Sequence, residues 1–361
     1  MTTTSRSVSG LPAGRRAAVA LLCAIAMTPI AAAWGGGRNI PDTVWVTNRD
    51  QGTVAVHDAS TLEVLAGPTV VGAGVHDIAV SDRTGKVFVS DDASRVYVLS
   101  TSNLALEPID TIQFAAGSRP HHLSVSHDGK AVFVGLFAGN AIAAIDARTH
   151  EVFELPSSNQ PGTTAHAPEP SPDDRYVFVP HEGATQHLVT KVSLRSGAPV
   201  DALAIGTNTS PSEVLPTRNG ETLYASMRNE GAIRAIDIDS FTLVGGPLTV
   251  GTQPESLILT PGERTLIVSL RGSPARLAFV DTRSMTLAKT LDIAGAGSFG
   301  NLAVESADGR YIYATFDAAA EGFGGLVKVD AFARTIVDTH VYAEAGRPHG
   351  VTFVRGERVR R

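Results

Sequence analysis

Cysteine is almost absent: the 361 residues contain one, Cys23. A single thiol excludes a disulfide scaffold and a cysteine-built metal fold. Charge is scarce too, at 18% against 43% hydrophobic residues, the reverse of what a disordered chain shows. The 30 Lys+Arg are outnumbered by 36 Asp+Glu. That balance argues against a nucleic-acid partner, because phosphate binding needs clustered cations. Motifs of several chemistries are missing: there is no Cys-x-x-Cys-His for covalent haem, no phosphate loop ending in Gly-Lys-Ser/Thr, and no Gly-x-Ser-x-Gly nucleophile elbow. No EF-hand calcium loop is present either.

Acidic residues are also absent from positions 1–33, which carry Arg6, Arg15 and Arg16 followed by an apolar run from Ala17 to Met27. Thr28-Pro29-Ile30 and then Ala31-Ala32-Ala33 close the segment. A basic start, a short apolar stretch and small residues predict a secretory signal peptide over 1–33. The alternative is a transmembrane anchor, for which the run is short and is interrupted by Pro29. Export by either the general or the twin-arginine route stays open, and the expected location is periplasmic or secreted, with no stable membrane span after cleavage. Residues 34–43 read as a lead segment and 356–361 as a basic, solvated tail.

What fills the rest is one unit repeated. Pro120-His121-His122-Leu123-Ser124-Val125 and Pro348-His349-Gly350-Val351-Thr352-Phe353 open units with alternating apolar residues. Asp128-Gly129-Lys130 and Asp308-Gly309-Arg310 make polar turns between two such runs. Further runs end in Asp, as in Ile142 to Asp146, Ile233 to Asp237, Leu277 to Asp281 and Leu326 to Asp330. Period-2 alternation predicts strands, and Gly, Asn and Asp supply the turns. Each terminal Asp is placed to accept backbone N–H groups from the following turn. Four strands in a period of roughly 45 residues predict a propeller blade.

The opening position of the unit recurs at His76, His121, His166, Ser212, Glu255, Gly300 and His349. The prediction is therefore all-β: a seven-bladed β-propeller with four-stranded blades over 44–355. No strands follow His349 to Val354, and none precedes Val44 to Asn48. The C-terminal strand should therefore join the N-terminal blade and close the ring without a free edge.

Val44-Trp45-Val46-Thr47-Asn48, the Asp-Gly-Lys/Arg turns and the strands ending in Asp resemble the YVTN β-propeller repeat family over about residues 40–355. That resemblance implies the fold, and spans surface-layer proteins, binding scaffolds and lactonase-type propellers. It extends to the propeller parts of some haem and copper oxidoreductases. Thr164-Ala165-His166-Ala167 with Val177 to Glu182 is partly similar to lactonase-type blades. The next blade departs, with Pro211-Ser212-Glu213 and Met227-Arg228 where Arg-His and Asn-Glu stand in those proteins.

In an up-and-down blade, the loop leading into the inner strand and the loop between strands two and three lie on the same end of the channel. The candidate ligand-binding residues there are His76, Asp77, His121, His122, His166, His181, Arg228, Glu255, Arg271 and His349. His127 and His150 fall at the opposite end. His349, His76, His121 and His166 share one repeat position in four consecutive blades and point toward one axis. Such imidazoles are possible ligands for a Cu, Zn or Fe ion. They equally suit proton transfer, an anionic ligand, or bonds to neighbouring blades. As candidate catalytic residues, His166 and His181 offer acid/base chemistry on a lactone or ester. The leading expectation is an exported binding scaffold whose channel mouth takes a small-molecule or protein ligand. The alternative is a metal-dependent oxidoreductase or lactonase-like hydrolase using the same histidines. The stretch from Phe316 to Gly325 reads as a glycine-rich loop able to cover the mouth.

Overall fold

The structure, a computed structural model, describes residues 40–102, 104–160, 163–183, 186–318 and 323–356. The expected signal peptide with Cys23, most of the lead segment and residues 357–361 of the tail lie outside the described residues. No helix among the described residues is long and apolar enough to cross a membrane.

All regular structure is β. Blade 1 holds β1 (Thr43–Asn48), β2 (Thr53–Asp58) and β3 (Val64–Val70), with β29 (Pro348–Val354) added from the C-terminus. Blade 2 holds β4 (Val75–Ser81), β5 (Lys86–Asp91), β6 (Arg95–Ser100) and β7 (Asp110–Gln113). Blade 3 holds β8 (Pro120–Val125), β9 (Ala131–Leu136), β10 (Ala141–Asp146) and β11 (Val152–Pro156). Blade 4 holds β12 (Thr163–Ala165), β13 (Glu169–Pro170), β14 (Tyr176–Gly183), β15 (His187–Ser193) and β16 (Ala198–Gly206). Blade 5 holds β17 (Pro211–Pro216), β18 (Thr222–Met227), β19 (Ala232–Asp237) and β20 (Thr242–Thr249). Blade 6 holds β21 (Pro254–Leu259), β22 (Thr265–Leu270), β23 (Arg276–Asp281) and β24 (Thr286–Asp292). Blade 7 holds β25 (Ser298–Glu305), β26 (Tyr311–Ala318), β27 (Phe323–Asp330) and β28 (Thr335–Ala345).

The chain is a seven-bladed propeller. The ring closes as the alternation predicts, with β29 antiparallel to β1 and Val44 opposite Phe353. Burial follows strand order: β1 is buried throughout, whereas the outermost β20 is almost wholly exposed. The second and third strands of neighbouring blades pack their apolar faces together, as Phe88, Val96 and Val98 do against Val132, Val134 and Ile145. This inter-blade burial is the main stabilising term.

The turns show why the repeat carries its polar signature. Asp146 accepts N–H bonds from Arg148 (2.9 Å) and Thr149 (2.7 Å). Asp281 and Asp330 do the same for the turns that follow them. In the Asp-Gly-Lys turn, Asp128 accepts the Lys130 N–H at 3.0 Å and Gly129 takes φ 70°, a conformation costly for other residues.

Two departures matter for the site. The stretch from Phe316 to Gly325 is not a long loop: Phe316 pairs directly with Gly325, and the strands run on to Ala318 and from Phe323. Its glycines serve close packing. A Cβ on Gly325 would stand 2.4 Å from the Phe316 ring, and one on Gly324 2.2 Å from Pro348. Residues 319–322, on which a cover for the mouth would depend, lie outside the described residues. In blade 4 the inner strand is broken, with β12 and β13 pairing β14 separately. Pro168 lies in the gap, where it has no N–H to offer a ladder.

Candidate functional site at the channel mouth

The inner strands do not keep strict alternation. In blade 2 the ladder passes from Val75↔Asp91 to Ile78↔Val89, so three steps on β4 face two on β5. The same β-bulge recurs between Pro120 and Leu123, Pro211 and Val214, Pro254 and Leu257, and Gly300 and Ala303. A bulge re-aims consecutive side chains. This is why His121 and His122 both turn to the axis although they are sequence neighbours.

In blades 1, 2, 5, 6 and 7 a hydroxyl from the second strand holds the bulge. Ser90 Oγ accepts the Asp77 N–H at 3.1 Å and donates to the His121 carbonyl of the next blade at 2.5 Å. Ser226 accepts the Glu213 N–H (3.0 Å) and donates to the Glu255 carbonyl (2.9 Å). Thr47 donates to the His76 carbonyl and Thr315 to that of His349. In blade 3 the equivalent residue is Gly135, where a Cβ would lie 1.9 Å from the His166 carbonyl oxygen. The mouth residues are therefore fixed by their backbones, blade to blade.

Five histidines meet on this frame. The His76 ring lies 3.8 Å from His121, 4.2 Å from His349 and 5.1 Å from His122, centroid to centroid. His166 lies 4.9 Å from His121 and 4.6 Å from His122. The four histidines of the shared repeat position thus come together, with His122 as a fifth. Burial holds His76, His121, His166 and His349 well below the ordinary imidazole pKa, with neighbouring positive charges adding to the effect. Phe137 stacks on His121 at 4.9 Å, and Arg119 lies over the Phe137 ring, 4.8 Å from its centroid.

Beside them stands an ionic hub, with Glu255 Oε1 3.9 Å from His122 Nε2. Arg228 donates from Nε to Glu255 Oε2 (3.1 Å), and from Nη2 to Glu255 Oε1 and Ser212 Oγ (2.8 and 2.7 Å). Ser212 Oγ also donates to Glu255 Oε1 at 2.8 Å. Arg271 Nη1 is 3.6 Å from Glu255. Burial opposes ionisation of Glu255, but Arg228 and Arg271 outweigh it and hold the carboxyl below its usual range. His166 Nδ1 donates to the Ser212 carbonyl at 2.7 Å, which leaves the lone pair on Nε2, 3.4 Å from Arg228 Nη2. Arg49 pairs with Asp92 at the rim, and Glu182 lies 3.4 Å from Arg228.

His181 is the predicted candidate that the structure does not bring into this group. It sits fully buried in β14, bonded through Nε2 to Thr190 Oγ1 at 3.0 Å, and burial lowers its pKa to about 4. His127 and His150 lie at turns beside Asp174 and Asp110, apart from the mouth. Reading the sequence missed Glu169, which with Glu213, His122 and Asp77 lines the central cavity of about 250 Å³. Burial, aided by the charge of Glu305, raises the Glu169 pKa to about 8. Burial and Glu169 raise that of Glu213 as well.

Known structures share this architecture. A periplasmic gluconolactonase from Pseudomonas aeruginosa superposes with a TM-score of 0.67 at 17% identity, over 87% of this chain and 99% of its own. A protein from Bacteroides fragilis, provisionally described as a 6-phosphogluconolactonase, gives 0.66 at 16% identity over 87% and 98%. The dihydro-haem d1 dehydrogenase NirN gives 0.62 at 18% identity over 86% and 74%. The fold is thus shared with lactonase-type and other enzyme propellers. No family model matches the chain, and no curated protein matches it by sequence.

Proposed function

We propose that the channel mouth is the active site of an exported hydrolase that opens a small lactone. The observation that carries this reading is the His166–Arg228–Glu255–Ser212 constellation. His166 is held by a carbonyl in one tautomer, with its lone pair facing a fixed guanidinium. A ring ester bound there would meet a base and a positive charge at once. Water attacks the lactone carbonyl while His166 Nε2 takes its proton. Arg228 stabilises the oxyanion, and the ring C–O bond then breaks to give a hydroxy acid, the alkoxide recovering the proton. The lactonase-type neighbours support this reading through shared fold, and the periplasmic one accords with export through 1–33. The repeat we take to be of the YVTN kind.

One observation favours a binding scaffold instead: Arg228, Glu255 and Ser212 already satisfy one another, as a rigid recognition surface would. A single assay separates the two. Acid release from glucono-δ-lactone is followed with a pH indicator and corrected for spontaneous opening. A hydrolase shows enzyme-dependent release that falls about 10²–10⁴-fold in His166→Ala. A wild-type rate equal to buffer across a set of γ- and δ-lactones overturns the hydrolase reading and leaves ligand binding without turnover.

A further inference from the structure

Two trios of potential ligand atoms lie within 4.8 Å of one another: His76, His121 and His122, and His122, His166 and Glu255. Their hydrogen bonding separates them. In the second trio, His166 Nδ1 is engaged by Ser212 and its Nε2 faces a guanidinium, while both Glu255 oxygens accept from Arg228. In the first trio, Nδ1 of His76 and Nδ1 of His121 are buried and have no partner. Buried polar atoms are almost always satisfied, since a bare one loses its hydration with nothing in return. Two bare imidazole nitrogens among facing rings call for an electron-pair acceptor.

We propose that His76, His121 and His122 form a binding site for one divalent transition-metal ion of the Zn²⁺ or Cu²⁺ kind. Three imidazoles suit such ions and leave a coordination position for water or substrate. Nitrogens about 2.0–2.1 Å from a tetrahedral ion stand roughly 3.4 Å apart, so the rings need to close by at most about 1.4 Å. Asp77 Oδ2 lies 3.3 Å from His122 Nδ1, and its carboxylate also accepts the Ile78 and Leu123 N–H groups. It is a fixed carboxylate suited to orient His122 toward the ion through Nε2. Asp92 Oδ1, buried and without a hydrogen-bond partner, lies 4.0 Å from His121 Nε2 and brings negative charge to the same side. The backbones of His76 and His121 are held by Thr47 and Ser90, so the site is preorganised at the level of the main chain. His349 Nδ1 is likewise buried without a partner and its ring lies 4.2 Å from His76, but its ring is 6.5 Å from His122 and it belongs to neither trio of atoms within 4.8 Å of one another.

The site rests on nitrogen geometry and does not need the hydrolase reading. If both hold, the ion shares the mouth with Arg228, since His122 Nε2 lies 3.9 Å from the Glu255 oxygen that Arg228 bonds, and it can polarise a lactone carbonyl there. The test is calorimetric titration of the chelator-stripped mature chain with Zn²⁺ alone, with elemental analysis after gel filtration. We expect about one ion per chain. His76→Gln and His121→Gln, checked for native circular dichroism, should weaken binding by about 100-fold or more, and His349→Gln should not. Cu²⁺ loaded on the wild-type chain should show nitrogen hyperfine coupling in its electron paramagnetic resonance spectrum, a readout needing no variant. Absence of uptake by the wild type, or equal affinity in the His121 variant, overturns the assignment. So does equal loss in the His349 variant. Lactone turnover by the metal-free chain removes the ion from catalysis alone, whereas tight binding without turnover removes only the hydrolase reading.

Discussion

Replacing Ser90 by alanine removes one oxygen and breaks two bonds. The hydroxyl joins the Asp77 N–H in blade 2 to the His121 carbonyl in blade 3, at a fully buried position. The Asp77 N–H falls in the register gap of the β4–β5 ladder, and the His121 carbonyl in that of β8–β9. Each group left bare costs about 1–3 kcal/mol, so the loss should be roughly 2–6 kcal/mol. Removal of a surface serine costs less than about 0.5 kcal/mol. Guanidinium unfolding followed by tryptophan fluorescence measures it, through a lower midpoint at constant m-value. Ser90→Thr is the control, since threonine does this work at Thr47 and Thr315. A second consequence is local: His121 loses its backbone anchor, so Zn²⁺ affinity should fall even in buffer where the variant stays folded. A loss below about 0.5 kcal/mol would refute the view that these hydroxyls hold the ring together at the mouth.

Gly135→Ala should also be damaging, because the new Cβ would meet the His166 carbonyl oxygen at 1.9 Å. The expected cost is about 1–3 kcal/mol or more, with lactone turnover falling beyond the loss in folded protein as His166 moves from Arg228. Thermal melts and kinetics on the same sample check both. The channel carboxylates set a pH dependence. Glu169 has a folded pKa raised from 4.5 to about 8, mainly by burial, so between these values the folded state binds more protons than the unfolded one. Its contribution is therefore neutral below about pH 4.5 and destabilising as pH rises toward 8. Glu169→Gln should flatten that decline in a series of unfolding midpoints from pH 5 to 8. An unchanged slope would show that Glu169 is well solvated.

Blade number, strand count and ring closure were legible because each rests on local rules repeated along the chain. Alternation gave the strands, Asp-Gly-Lys gave the turns, and the lone C-terminal strand beside an N-terminal unit short of its inner strand gave the closure. The four histidines at one repeat position converge for the same reason, since equivalent residues on successive blades face one axis. What escaped the pattern was non-local. Nothing in Pro120-His121-His122 announces a bulge, yet the bulge is what turns two adjacent rings inward. Ser90, Ser226 and Gly135 read as ordinary strand residues, and their roles depend on a carbonyl from the next blade. His181 fits the lactonase-like pattern in sequence, but strand pairing aims it at Thr190, inside the blade.

The two halves of the mouth differ because their backbones solve the same problem with different chemistry. In blades 5 and 6 the opening residues are Ser212 and Glu255, and a buried carboxylate needs a cation. Arg228 supplies it, and the cluster closes on itself. In blades 1, 2 and 3 the opening residues are His349, His76 and His121, neutral when buried and unable to neutralise or satisfy one another fully. Their Nδ1 atoms are left buried without partners. His166 in blade 4 stands at the border, tied by Nδ1 to the ionic half while its ring packs on His121 and His122. A ligand seated there would touch electron-pair donors on one side and a guanidinium on the other. That asymmetry, more than the number of histidines, distinguishes this end of the channel and underlies the activity proposed for it.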